Sequence, residues 1–137
     1  FMTKFILEKS NAREKTIEIL DKYCENFEGW NPELMDFVRS EEILNEIMDA
    51  VDEGLDNLNT RVTFNIASSD FDVDVEVTIF DVVGSAYAKQ VPNPEYSRLI
   101  KFYVYAQDFG SDDDCTICDD VYYRIDMLRG EWHPYGY

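Results

Sequence analysis

Carboxylates are the one chemistry-bearing group this 137-residue sequence supplies in quantity. It holds 29 Asp and Glu against 12 Lys and Arg and a single histidine, His133, for a net charge of −17. Asp72, Asp74 and Glu76 stand at i, i+2 and i+4. On a strand that spacing puts them on one side, where two can hold Mg²⁺ or Mn²⁺ for phosphodiester cleavage. Phosphoryl chemistry also needs cations against the developing charge, and only Arg61, Lys101 and Arg124 are placed to share that face. Cys115-Thr-Ile-Cys118 is a single CxxC, whereas a structural zinc site needs four ligands. Cys24 and His133 join it only if the tertiary fold brings them there, so a thiol pair without metal is expected. Asp112-Asp113-Asp114 lacks the glycine and terminal glutamate of a calcium-binding loop. Asp108-Phe109-Gly110 repeats a kinase tripeptide without the glycine-rich loop, strand lysine or catalytic loop that give it meaning. No motif names a reaction. The expectation is a protein that is not an enzyme and carries no cofactor or metal; a metal-dependent phosphodiesterase on Asp72, Asp74 and Glu76 is the alternative.

The acids are unevenly spread. Residues 33–81 carry 14 acids and two bases, Arg39 and Arg61, for −12; residues 1–32 carry −1 and residues 82–137 carry −4. At about 100° per residue, Glu42, Glu46, Asp49, Glu53 and Asp56 fall within roughly 40° of one line on a helix, about 21 Å long. Leu44, Met48, Val51, Leu55 and Leu58 fall opposite. An ordinary solvated helix intersperses lysines, because each i,i+4 Glu–Lys pair adds about 0.2–0.5 kcal/mol, and like charges at that spacing destabilise by as much. No Lys or Arg lies between Arg39 and Arg61. A second line, Asp70, Asp72, Asp74 and Glu76, is expected on the outer face of one strand, although Asp and Glu are poor strand residues. A third group, Asp108, Asp112–Asp114, Asp119 and Asp120, is expected on a loop.

Those lines need elements to hold them. Asn11 with Glu14 fits a capping box, and Ile17, Leu20, Cys24 and Phe27 make an apolar helical face that Gly29 ends. Asn31-Pro32 opens a short helix containing Leu34, Phe37 and Val38, and Ser40 caps a longer one to about Leu58. Past residue 60 the period changes to two. Val62, Phe64 and Ile66 alternate with polar residues, as do Phe71, Val73, Val75, Val77 and Ile79 after a Ser68-Ser69 turn, which predicts an antiparallel hairpin with one wet face. Gly84–Glu95, with Pro92 and Pro94, is expected as a loop. Ile100–Gln107 and Tyr122–Leu128 supply two more strands, and Gly130–Tyr137 an aromatic tail. Helices followed by strands mean α+β: one domain over 1–137, with a helical half (1–59) packed on one face of a roughly four-stranded antiparallel sheet (60–128) and a tail (129–137).

The 20 aromatics supply a core, so the charge does not imply disorder. Phe1 ahead of Met2 reads as foreign to the native start and is left out of fold reasoning. No run approaches the 18 apolar residues of a membrane helix, and three cysteines do not make a secreted disulfide framework. A cytoplasmic protein is expected. Clustered Lys and Arg are missing, which excludes direct binding to nucleic acid or an anionic membrane. One reading of the acids is a surface that merely keeps the chain soluble, as in an acidic adaptor. In its small size, extreme acidity and aligned carboxylates, however, the chain resembles the DNA-mimic inhibitors that phages and mobile elements direct against restriction and CRISPR nucleases. Immunity proteins that block basic nuclease toxins follow the same logic. The resemblance is to a physical class and transfers no site. It implies a basic nucleic-acid-binding protein as partner, met through both carboxylate lines, with Tyr103 and Tyr105 as anchors on the sheet face.

Overall fold

The computed structural model describes residues 2–135, with side chains from Asn11 onward. Phe1 and the last two residues of the expected tail, Gly136 and Tyr137, lie outside the described residues.

Three helices come first: α1 (Met2–Cys24), α2 (Pro32–Val38) and α3 (Glu41–Asp56). α1 begins upstream of the Asn11 capping box, for no glycine or proline interrupts the chain before it. Its buried face runs through Ala12, Thr16, Ile19, Leu20 and Cys24, while Ile17, expected inside, is exposed. Asn31 starts α2 as its composition predicts. Its Oδ1 accepts from Leu34 N–H at 3.1 Å, satisfying an amide with no partner inside the helix. Ser40 has the extended backbone of a cap, yet its hydroxyl makes no capping bond. α3 buries Ile43, Leu44, Ile47, Ala50, Val51 and Gly54.

The sheet has five antiparallel strands in chain order: β1 (Arg61–Ala67), β2 (Phe71–Asp81), β3 (Ser97–Asp108), β4 (Asp113–Asp126) and β5 (Glu131–Pro134). Two differences from the expected four strands have one cause. β4 starts nine residues early, inside the acidic segment expected as a loop, because β3 offers it a ladder that begins with Asp108 opposite Asp113. Pairing outweighs the poor strand propensity of aspartate. Two register shifts opposite Phe102–Tyr105 add residues to β4. Bulges of this kind let Cys115 and Cys118, three apart, both turn toward the core. β5 forms from the expected tail, after a turn in which the Asp126 carboxylate accepts from Leu128 and Arg129 N–H. Gly130 closes that turn at φ +68°, a conformation open to glycine.

The inner face of the sheet carries Val73, Val75, Val77 and Ile79 from β2, joined by Ile100, Phe102, Val104 and Ala106 from β3. α3 lies over β1 and β2, and α1 lies beside α3 toward β4. The fit of α3 is tight at Gly54, where a Cβ would meet Ile79 Cγ1 at 3.1 Å. The segment expected as a loop, 84–95, holds the one-turn 3₁₀ helix Ala86–Lys89 and runs into a second, Pro94–Tyr96. With Val82 and Val91 it covers Leu99 and Phe80 on the outer face, a second small core. That covers one end of the outer face and leaves the other end open.

Candidate functional site: two carboxylate lines in different layers

On α3 the expected line forms in full. Glu42, Glu46, Asp49, Glu53 and Asp56 are all exposed. Among the described residues none of the five makes an ion pair, although cations stand close by and are engaged elsewhere. Arg13 on α1 reaches α3, but binds Asn45 Oδ1 at 3.0 Å and Glu41 Oε2 at 2.7 Å. Arg39 turns away to Glu28 at 2.7 Å, with Asp36 and Asp21 at 3.5 and 3.7 Å. These contacts also orient the helix. Glu41 and Asn45 mark the side of α3 that faces α1, so the five carboxylates point outward and lean toward the opposite flank, over β1.

On the sheet the line is shorter and less free. Asp72, Asp74 and Glu76 lie on β2, but Asp70 is in the hairpin turn, where Ser68 Oγ accepts from the N–H groups of Asp70 and Phe71. A strand carries its side-chain alternation only as far as its ladder, which ends before Asp70. Asn65, directly opposite Asp74, donates from Nδ2 to Asp72 Oδ1 at 2.6 Å and to Asp74 Oδ1 at 2.7 Å. That amide sits where a cation held by the two carboxylates would have to sit. Glu76 lies 3.7 Å from Arg61. Lys101 pairs with Asp120 on β4 at 3.7 Å.

Tyr103 and Tyr105 flank this line, opposite Glu76 and Asp74. Both are half-buried. Tyr105 Oη donates to Asp114 Oδ2 at 2.7 Å, and this bond, reinforced by the carboxylate charge, pushes its hydroxyl up to about 12. Asp108, at the end of β3, accepts from Asn31 Nδ2 at 2.8 Å. That bond, with the amides of Gly110 and Ser111, holds its carboxyl below the usual range. Asn31 therefore caps α2 and ties it to the sheet. Asn65 and Asp114 are contacts that composition alone misses. The tight Ser68–Phe71 turn implies the Asn65–Asp74 register, whereas the Tyr105–Asp114 contact depends on β4 starting at Asp113.

The three cysteines are free, and Cys24 and Cys118 are buried. Burial pushes the Cys24 and Cys118 thiols up to about 12, and burial with the Asp114 charge pushes Cys115 up to about 11. Thiols so far above the ordinary value are poor nucleophiles near neutrality. Among the described residues no group of three or more His, Cys, Asp or Glu is arranged to hold a metal ion. In the same residues no helix is long and apolar enough to cross a membrane.

The two carboxylate lines do not form one surface. Asp72, Asp74 and Glu76 point away from the helices, and the α3 line points away from the sheet. Only the β1 edge lies between them. Comparison with family models, curated proteins and solved structures yields no match to this chain, so the geometry alone carries the functional argument. It defines a two-layer α+β protein with an acidic helix on one side and a half-open, tyrosine-bearing acidic sheet on the other.

Proposed function

We propose that this protein is an inhibitor that mimics a nucleic acid, seating the α3 carboxylates in the basic groove of a nuclease or other nucleic-acid-binding protein. The observation that carries this reading is the isolation of Glu42, Glu46, Asp49, Glu53 and Asp56 from every cation among the described residues. A surface that serves solubility alone has no reason to withhold the pairs that stabilise a helix. The charge density supports the reading too. Five carboxylates over about 21 Å compare with about six phosphates along the same length of one DNA strand. The line copies a single strand rather than a duplex.

Because the two lines face apart, one narrow groove takes one of them. α3 is the primary contact; Asp72, Asp74 and Glu76, partly satisfied by Asn65 and Arg61, are secondary. Tyr103 and Tyr105 offer apolar area beside the charge, as interface tyrosines do. A role against restriction or CRISPR nucleases, encoded by a phage or mobile element and exerted in the host cytoplasm, fits this chemistry.

The test is cleavage by a panel of restriction, CRISPR-effector and toxin nucleases with and without the protein. At least one enzyme should be inhibited, with affinity falling at least about tenfold between about 50 and 200 mM salt. Replacing Glu46 and Glu53 by lysine should relieve inhibition while leaving the circular-dichroism spectrum unchanged. Inhibition that ignores both salt and these substitutions refutes the reading.

A further inference from the structure

The sheet ends differently on its two sides. β5 is four residues long and ends in Pro134, so it offers few free backbone groups. β1 is seven residues long, contains no proline and, among the described residues, pairs only with β2. Its one charged residue is Arg61, at the end, so the stretch 62–67 carries neither the charge nor the proline that usually keeps an edge from pairing.

The free backbone groups can be assigned. Ser68 N–H donates to Phe71 O at 2.8 Å, which makes 68/71 a hydrogen-bonded pair. Antiparallel ladders alternate, so Ile66, Phe64 and Val62 bond inward to Val73, Val75 and Val77. The N–H and C=O groups of Thr63 and Asn65 therefore point outward. Val62, Phe64 and Ile66 face the core side but stay half-buried, leaving an apolar rim next to the edge.

We infer that this edge accepts an extended, Lys/Arg-rich segment of the partner protein as a sixth strand, a binding mode that rests on the partner being basic as proposed above. Charge decides the occupant. The α3 line leans over β1 from the helical side. Asp72, Asp74 and Glu76 lie one strand further in on the outer face, about 10 Å from an added strand, within the reach of an extended lysine or arginine. A segment alternating apolar and basic residues covers the Val62–Phe64–Ile66 rim on one face and meets the sheet carboxylates on the other. A second copy of this chain fits worse, since pairing β1 with β1 turns two α3 lines toward each other.

The ¹⁵N-labelled chain, titrated with a short synthetic peptide alternating Lys and Val, tests this. A peptide of the same composition with its lysines and valines in separate blocks is the control. The alternating peptide should slow amide exchange at Thr63 and Asn65 at least tenfold, and the block peptide should not. Thr63→Pro, which removes an outward N–H and no internal bond, should weaken the alternating peptide at least tenfold without touching a carboxylate. Should that variant fail to fold, amide protection in the unaltered chain still decides. Equal binding of both peptides without protection overturns the edge while leaving a basic partner in place. Binding of neither peptide at low salt overturns both. Thr63 protection with dimerisation in the absence of peptide assigns the edge to a second copy and overturns the inference.

Discussion

Tyr105, expected as a partner anchor beside the β2 line, is held by a carboxylate two strands over from that line, and that changes its chemistry. With Asp114 as hydrogen-bond acceptor its hydroxyl is raised to about 12, so the protonated form is the one folding favours. The associated stability is complete below pH 10, the ordinary tyrosine value, and is lost as pH rises through about 12. In a titration of ring-labelled tyrosines, the Tyr105 resonance should move only near pH 12, and Asp114→Asn should return it toward 10. A Tyr105 that titrates with ordinary tyrosines would show that the bond to Asp114 does not persist in solution. Asn65 has a comparable local effect: by donating to both Asp72 and Asp74 it lets two carboxylates share one side of a strand without a cation.

α3 reaches the sheet through Gly54, which is helical and packed on Ile79. Glycine inside a helix costs about 0.5–1 kcal/mol relative to alanine, so Gly54→Ala gains that much locally. The new Cβ, however, would lie 3.1 Å from Ile79 Cγ1 and 3.2 Å from its Cδ1, and Ile79 is fully buried with no room to retreat. Overpacking of this kind costs about 1–3 kcal/mol. The net expectation is destabilisation of about 1 kcal/mol in a denaturant melt, and a smaller increment from Gly54→Ala when Ile79→Val has already removed Cδ1. A stabilised Gly54→Ala would mean that α3 rides higher on the sheet. The same contact fixes the height at which the carboxylate line stands above β1.

Taken whole, the molecule pairs unlike charges where its helices meet and on the outer face of the sheet, and leaves like charges together on the outward face of α3. Arg39, at the end of α2, reaches Asp21 on α1 and Glu28 just beyond it, and Arg13 ties α1 to α3. The outward line of α3 is left to repel itself, four consecutive like pairs from Glu42 to Asp56 at about 0.2–0.5 kcal/mol each. Screening shortens their reach as salt rises, so the melting temperature should climb between low and moderate NaCl. Glu46→Lys alone should raise stability by about 0.5–1 kcal/mol and, on the function proposed above, weaken binding of the basic partner, the opposed response expected where function costs stability. A melting temperature indifferent to salt would mean the line is already neutralised in solution.

The α3 carboxylates, the inward valines of β2 and the Asn31-Pro32 start were legible in the sequence, because a helical face, a strand face and a cap are set by neighbours a few residues apart. The first α1 turns, the early start of β4, β5 and the small core over Leu99 were not. Each depends on continuation or pairing that local propensity does not encode, as when aspartates become a strand because β3 is alongside. Amino-acid order alone therefore determined that the acids would form lines. Whether the lines would meet depended on where α3 settled on the sheet. That was set by long-range burial around Ile79 and by Arg13 drawing α1 to one flank, contacts between residues far apart in the chain.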